Sequence, residues 1–268
     1  MNSKFHKVNM ATAVAPPSRP RMAGSEPFSH ETDSAVGVLV SHGFTGCPGS
    51  MRALAEAFAK AGWNVECPCL TGHGSQWQDL IGVSAEQWLA DLDAALDRLR
   101  ARSSKLFVVG LSMGGTLALR LAQTRPDIMG VMVINHALVF GNPLVGLARV
   151  LKHGVRSIPA IASDIKDPDQ VEPAYPRTPL AGVAEVHRLA RMVERDLPSL
   201  MQPLLVFKST QDHVLPARNA RLLMDRAGSA HKELVWLENS YHVATLDYDR
   251  ELIQSRCLEF VERLGGDR

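Results

Sequence analysis

The sequence of 268 residues is poor in cysteine, with only Cys47, Cys67, Cys69 and Cys257. Their spacing repeats nowhere, and Cys67-Pro68-Cys69 has the wrong spacing for a zinc knuckle or a redox C-x-x-C pair, so a disulfide scaffold and a thiol metal site are set aside. The four are read as reduced thiols of a cytosolic, cytoplasmic protein. Excess charge of either sign is also missing. Lysine and arginine total 29 against 28 aspartates and glutamates, a net charge of +1, so the balance gives no electrostatic case for nucleic acid or an anionic membrane surface as a partner. No segment reaches the ~18 uninterrupted apolar residues of a membrane span. The opening residues hold Lys4, Lys7, Arg19 and Arg21 with Pro16, Pro17 and Pro20 but no apolar stretch of the signal-peptide kind. Residues 1–24 are expected to form a mobile tail, and the protein to be soluble.

Apolar residues make up 46% of the chain, enough at this length to bury the core of one large α/β domain. Glu26-Pro27-Phe28 reads as a short edge strand. Val36–Ser41, Asn64–Cys67, Leu106–Val109, Gly130–Asn135, Leu204–Phe207 and Leu234–Leu237 read as six further strands, several of them continuous apolar runs of the kind buried on both faces of a parallel sheet. Helical spacing appears between them. Leu54, Ala57, Phe58 and Ala61 form one apolar face, with Ser50 expected as its cap and Gly62 as its stop. Trp88, Leu92, Ala95, Leu96 and Leu99 form another, headed by a capping-box pair, Ser84 and Gln87. Leu252–Leu264 supplies a closing helix. Strands separated mostly by helices imply a parallel, doubly wound sheet, because parallel connections must cross over. Residues 136–202 interrupt the alternation with two amphipathic stretches, one carrying Leu144, Leu147, Ala148 and Leu151 and the other Val186, Leu189, Ala190, Val193 and Leu197. Asp164–Pro179 between them is rich in proline and charge and is read as loop.

The chain is organised around Lys105–Leu119. A short β-branched and aromatic run meets Gly110-Leu111-Ser112-Met113-Gly114, and good helix formers follow. That order of strand, tight turn and helix is what a nucleophile elbow requires, with glycines removing β-carbons where strand and helix approach. A serine hydroxyl is a weak nucleophile near neutral pH and needs a base, itself oriented by a carboxylate. In a parallel sheet such partners lie in loops after the carboxyl ends of strands. Asp212 follows the Leu204–Phe207 strand and His242 follows Leu234–Leu237, so the order Ser112, Asp212, His242 is that of an α/β-hydrolase.

Four segments in combination carry a family resemblance: His42-Gly43-Phe44-Thr45-Gly46, Thr71-Gly72-His73-Gly74, Gly110–Gly114 and Ser240-Tyr241-His242-Val243-Ala244-Thr245-Leu246-Asp247. With them the chain resembles the α/β-hydrolase superfamily, and within it bacterial monoacylglycerol lipases and related small carboxylesterases. The resemblance implies a hydrolase core over residues 25–135 and 203–268 with a cap inserted at 136–202. One oxyanion-hole donor is expected from the backbone N–H of Met113, the residue after the nucleophile. The second, the N–H of Phe44, and a hydroxyl-accepting acid at Glu172 are implied by the resemblance. Leu111 is expected to touch the acyl side, as is Phe44, from adjacency alone.

His213 adjoins Asp212 and is read as a loop residue. His42 is read as shaping the oxyanion turn and His73 as structuring its loop, while His136, His153 and His187 are surface or substrate-contacting residues of the insertion. The reading is a soluble serine ester hydrolase that cleaves monoacylglycerols or similar single-chain carboxylic esters without metal or organic cofactor, in at most transient contact with a membrane or micelle. Its alternatives are a general short-chain carboxylesterase, a carbon–carbon bond hydrolase of ring-cleavage products, and a non-catalytic binding module. Oligomeric state is not legible.

Overall fold

A computed structural model describes residues 21–160 and 164–266. Seven strands form one sheet: β1 (Phe28–His30), β2 (Val36–Ser41), β3 (Asn64–Cys67), β4 (Lys105–Leu111), β5 (Ile128–Ile134), and, after an insertion, β8 (Leu204–Ser209) and β9 (Lys232–Leu237). Their order is β1-β3-β2-β4-β5-β8-β9. Only the edge strand β1 is antiparallel to its neighbour; the other pairs are parallel. The insertion holds a small hairpin of its own, β6 (Ser157–Pro159) with β7 (Arg177–Pro179), where the sequence reads loop up to residue 179.

Alternation of side chains along the strands divides the core into two layers. Leu39, Val108 and Val131 face α2 (Ala85–Arg100), α3 (Met113–Thr124), α5 (Leu180–Arg195) and α6 (Arg218–Arg226), whose Trp88, Leu117, Leu189 and Leu223 complete that layer. Val38, Val40, Phe107 and Val109 face the other way, onto Phe58 of α1 (Arg52–Lys60) and Phe260 of α7 (Arg250–Gly265). Both faces of the central strands are thus covered, as their unbroken apolar runs require.

Local signals are obeyed with two exceptions. The capping box of α2 forms as spaced, the Gln87 N–H donating to Ser84 Oγ and the Ser84 N–H to Gln87 Oε1. Ser50 does not cap α1. Pro48 opens a single 3-10 turn, Pro48–Ser50, and the Ser50 hydroxyl is spent on the Cys47 carbonyl within it, so α1 starts from Met51 with no side-chain cap. The two amphipathic stretches of the insertion also part ways. Val186, Leu189, Ala190 and Val193 of α5 are buried against the core, whereas Leu147, just before α4 (Ala148–Leu151), and Leu151, its last residue, stay 49% and 44% exposed. A 3-10 turn followed by one turn of α-helix offers too little face to bury.

Of the expected tail, residues 1–20 lie outside the described residues. Its end is seated: the Met22 N–H donates to the Gly74 carbonyl, and the Gly24 carbonyl accepts from Cys47 Sγ. The four cysteines are free thiols. Among the described residues no helix is long and apolar enough to cross a membrane.

Candidate active site

Strand β4 delivers Ser112 to the rim of the sheet and α3 starts one residue later. Ser112 has φ 55° and ψ −119°, a left-handed conformation that costs an L-residue energy and persists only where its surroundings fix it. Those surroundings are close. A methyl group on Gly110 would lie 2.2 Å from the Gly114 carbonyl, and one on Gly114 would lie 2.4 Å from the Ser41 carbonyl oxygen. Any side chain at either position would push β4, α3 and β2 apart, so the glycines make the sharp turn sterically possible.

The three residues expected to act together are brought together. His242 Nε2 stands 3.0 Å from Ser112 Oγ, and His242 Nδ1 stands 3.0 Å from Asp212 Oδ2. Asp212 Oδ1 accepts the backbone N–H groups of Val214 and Leu215, while Oδ2 also accepts the ammonium of Lys208. Burial works against the charge of Asp212, but His242 and Lys208 outweigh it and hold the carboxyl well below the usual carboxylate range. The loop bearing His242 is held from several sides. Asn135, itself left-handed at φ 45°, donates from Nδ2 to the His242 carbonyl at 2.8 Å and accepts the Ser209 N–H on Oδ1. Asp164 accepts the His242 N–H, and Asp247 accepts that of Tyr241.

Beside the serine runs the His42–Gly46 turn. Gly43 packs directly on Ser112, where a methyl group would lie 3.4 Å from its Cβ, and Met113 follows Ser112 as the first residue of α3. The Phe44 ring turns away toward Trp88 and Gly182 of α5. His42 is wholly buried, its Nε2 accepting the Leu70 N–H, and burial lowers it to about 4, so it is a neutral brace of the turn. His73 is buried next to it, ring centroids 4.9 Å apart. The Glu172 carboxyl packs on this turn, since a methyl group on Gly46 would lie 2.8 Å from Oε1. Burial pushes Glu172 up to about 7, against the pull of the His242 charge.

Two expectations fail here. Leu111 is 1% exposed and packs among core side chains on the far face of β4, with Val40 and Ile134, so no substrate reaches its side chain. His136 is also fully buried, Nε2 against the Asn219 carbonyl, rather than on the surface or in a cleft. His213 lies outside the chain of contacts: its Nδ1 is 2.7 Å from Asp164 Oδ1. Sequence reasoning passed over Lys208, Asn135 and Tyr175. Tyr175 ties the Glu172 segment to the site, its N–H donating to the Thr45 carbonyl and its hydroxyl to the Gly72 carbonyl. Lys208 did leave a signal, a lysine continuing an apolar strand.

The family model for serine aminopeptidase, S33, matches residues 33–249, a span that holds Ser112, Asp212 and His242. The chain belongs to this family of the α/β-hydrolase superfamily. It is 43% identical to a thermostable monoacylglycerol lipase of Bacillus sp. (strain H-257) over 250 residues, covering 92% of this chain and 98% of that protein. A carboxylesterase of Bacillus subtilis (strain 168) is 27% identical over 231 residues, covering 85% and 92% of the two chains. Among solved structures, one from a study of the metagenome-derived lipolytic enzymes LipS and LipT superposes with a TM-score of 0.88 at 43% identity, over 91% of this chain and all of that one. The α/β-hydrolase assignment thus agrees with the sheet order and with the loops that carry the site.

Proposed function

We propose that the protein is a carboxylic ester hydrolase acting on monoacylglycerols through an acyl-enzyme on Ser112. The observation that carries this reading is the unbroken line from Asp212 through His242 to Ser112, each contact 3.0 Å. Ser112 Oγ attacks the ester carbonyl while His242 Nε2 takes its proton. The backbone N–H groups of Phe44 and Met113 receive the oxyanion, an arrangement in which one donor is typically worth ~10²–10³ in kcat. The imidazolium, steadied by Asp212, returns the proton to the leaving alcohol. Water activated by His242 then releases the fatty acid and restores Ser112.

Identity of 43% to a monoacylglycerol lipase across nearly the full chain supports the choice of ester. Residues 136–202 act as the cap, with Phe44 meeting α5 beneath it. Glu172, packed on Gly46 and electrostatically coupled to His242, sits on the leaving-group side and accepts a hydroxyl of glycerol. Leu147, Val150 and Leu151 give the cap an exposed apolar face suited to transient contact with a micelle or membrane surface. Four free thiols suit a reducing compartment such as the cytoplasm.

The test pairs a labelling experiment with a substrate series. A fluorophosphonate should label the folded wild type and not Ser112→Ala, and the same substitution should lower kcat by about 10⁶-fold. Monoacylglycerols of medium chain should be cleaved to glycerol and fatty acid faster than p-nitrophenyl acetate. Activity that peaks at acetate or butyrate, with monoacylglycerols untouched, would replace this substrate class by short-chain esters.

A further inference from the structure

Every residue of β8 is buried, and one of them is Lys208, with 0% of its surface exposed. A lysine ammonium has three protons to place and gains nothing from an apolar core. Here all three find acceptors: the Asp212 carboxylate, the Leu215 carbonyl at 2.9 Å and Asn135 Oδ1 at 3.3 Å. The first acceptor matters for chemistry, because the oxygen that takes the Lys208 proton is Oδ2, the same atom that faces His242 Nδ1. One carboxylate oxygen therefore stands between the Lys208 ammonium, which burial pulls below the ordinary lysine value against the opposing pull of Asp212, and a ring that becomes a cation during the reaction.

We propose that Lys208 is a positioning residue of the site: it locks the Asp212 carboxylate from beneath and keeps the reaction running at lower pH than Asp212 alone would allow. The inference rests on the reading of Ser112, Asp212 and His242 as the catalytic groups. An aspartate alone presents a full negative charge to the imidazole and draws a proton onto it. Paired with Lys208, the same aspartate presents a nearly neutral pair, so the ring stays unprotonated, and able to act as base, further into acid. The other acids facing His242 do not reproduce this arrangement. Glu172, from the insertion, is pushed up to about 7 by burial and is protonated over the acid range. Asp164 takes the backbone N–H of His242 and the ring of His213. On the far side of Lys208, His136 is lowered to about 3 by burial and by the lysine itself, and stays neutral.

Lys208→Met keeps the length of the side chain and removes its charge and its donors. Removing a cation just behind the carboxylate favours imidazolium, so the acid limb of the kcat/KM profile should move up by about one pH unit. KM should change little and kcat at the optimum should fall about tenfold. Lys208→Gln, which retains a donor for Asp212 but no charge, should move the limb in the same direction while retaining more of kcat. An unmoved limb in a folded variant overturns the proposal. A wild-type measurement covers the case in which neither variant folds. A limb governed by a buried charge should hold its position between about 0.05 and 1 M salt, whereas exposed charges are screened over that range. A limb that drifts by more than about half a pH unit with salt overturns the proposal as well. Fluorophosphonate labelling separates the two failures. An unlabelled wild type removes the reading of Ser112, while a labelled protein whose limb ignores Lys208 removes only this inference.

Discussion

Two carboxylates are buried against cations on or beside this sheet, and only one of them belongs to the proposed reaction. Glu66, on β3, is 4% exposed and takes Arg98 on Oε2 and both Arg102 and Ser29 on Oε1. Asp212, in the loop after β8, shares Oδ2 between Lys208 and His242. Each of the charged partners of Glu66 is a guanidinium, which never gives up its proton in a protein. Those contacts are fixed in charge and serve to clamp β1, β3 and α2 together. One partner of Asp212 is an imidazole, which can carry a proton or release it, so in the proposed reaction the same kind of pairing takes part in proton transfer. Position decides which: Glu66 points sideways from the body of a strand, while Asp212 lies past a strand's carboxyl end, where loops converge on Ser112.

The contrast is broken most directly at Asp212. Asp212→Asn keeps the shape and the Val214 and Leu215 contacts but removes the charge that steadies the imidazolium, and it turns the ring's tautomer around. We expect kcat on a p-nitrophenyl ester to fall by about 10⁴-fold, with the circular dichroism spectrum unchanged and KM within a few-fold of wild type. Should Glu66→Gln lower kcat as far as Asp212→Asn does, the division between clamp and reactive pair would be wrong.

This division was half legible in the sequence. Ser112, Asp212 and His242 follow apolar runs that end in turn residues, and that pattern reports both a strand and its carboxyl end without knowledge of any contact. Glu66 gave no comparable sign, because its partners stand on β1, on α2 and, for Arg102, just past the end of α2, and only the packing of these elements brings them to it. Lys208 was hidden differently. Read for apolar content the strand stops at Phe207, yet it runs on to Ser209, since Asp212, Asn135 and Leu215 absorb the lysine's protons. Periodicity likewise marked both helical stretches of the insertion, but it carries no information on whether a short apolar face meets a core or solvent.

A smaller effect sharpens the other half of the comparison. Glu66→Ala strips two guanidinium groups of their shared acceptor, and hydrogen bonds to charged groups are worth about 1.5–3 kcal/mol. Because Arg98 is 52% exposed and rehydrates readily, the loss of stability at pH 7 should lie near the lower end, about 2 kcal/mol, with kcat per folded molecule unchanged. Burial raises the Glu66 carboxyl, but Arg98, Ser29 and Arg102 outweigh it and leave the group below its ordinary value. Its contribution is therefore present above the unfolded value and disappears as pH falls through the folded one. Urea unfolding of wild type and Glu66→Gln should converge in strong acid.

Glu172 provides the case with the opposite sign. Burial raises it to about 7, so between its unfolded value and pH 7 the folded chain holds a proton that the unfolded chain has released. Stability therefore falls as pH rises across that window, where Glu66 has nothing further to lose. One proton sets a ceiling of about 1.4 kcal/mol per pH unit, and the partial solvent contact of this residue reduces the summed change to the order of 1 kcal/mol. Glu172→Gln should flatten the stability profile between pH 5 and about 7.5 and leave the molecule slightly more stable than wild type at the upper end. Thermal melts of both proteins across that range measure the difference. Parallel profiles would show that the carboxyl is already ionised in the folded protein, and would place Glu172 with Glu66 and Asp212 among the acids held charged by their surroundings.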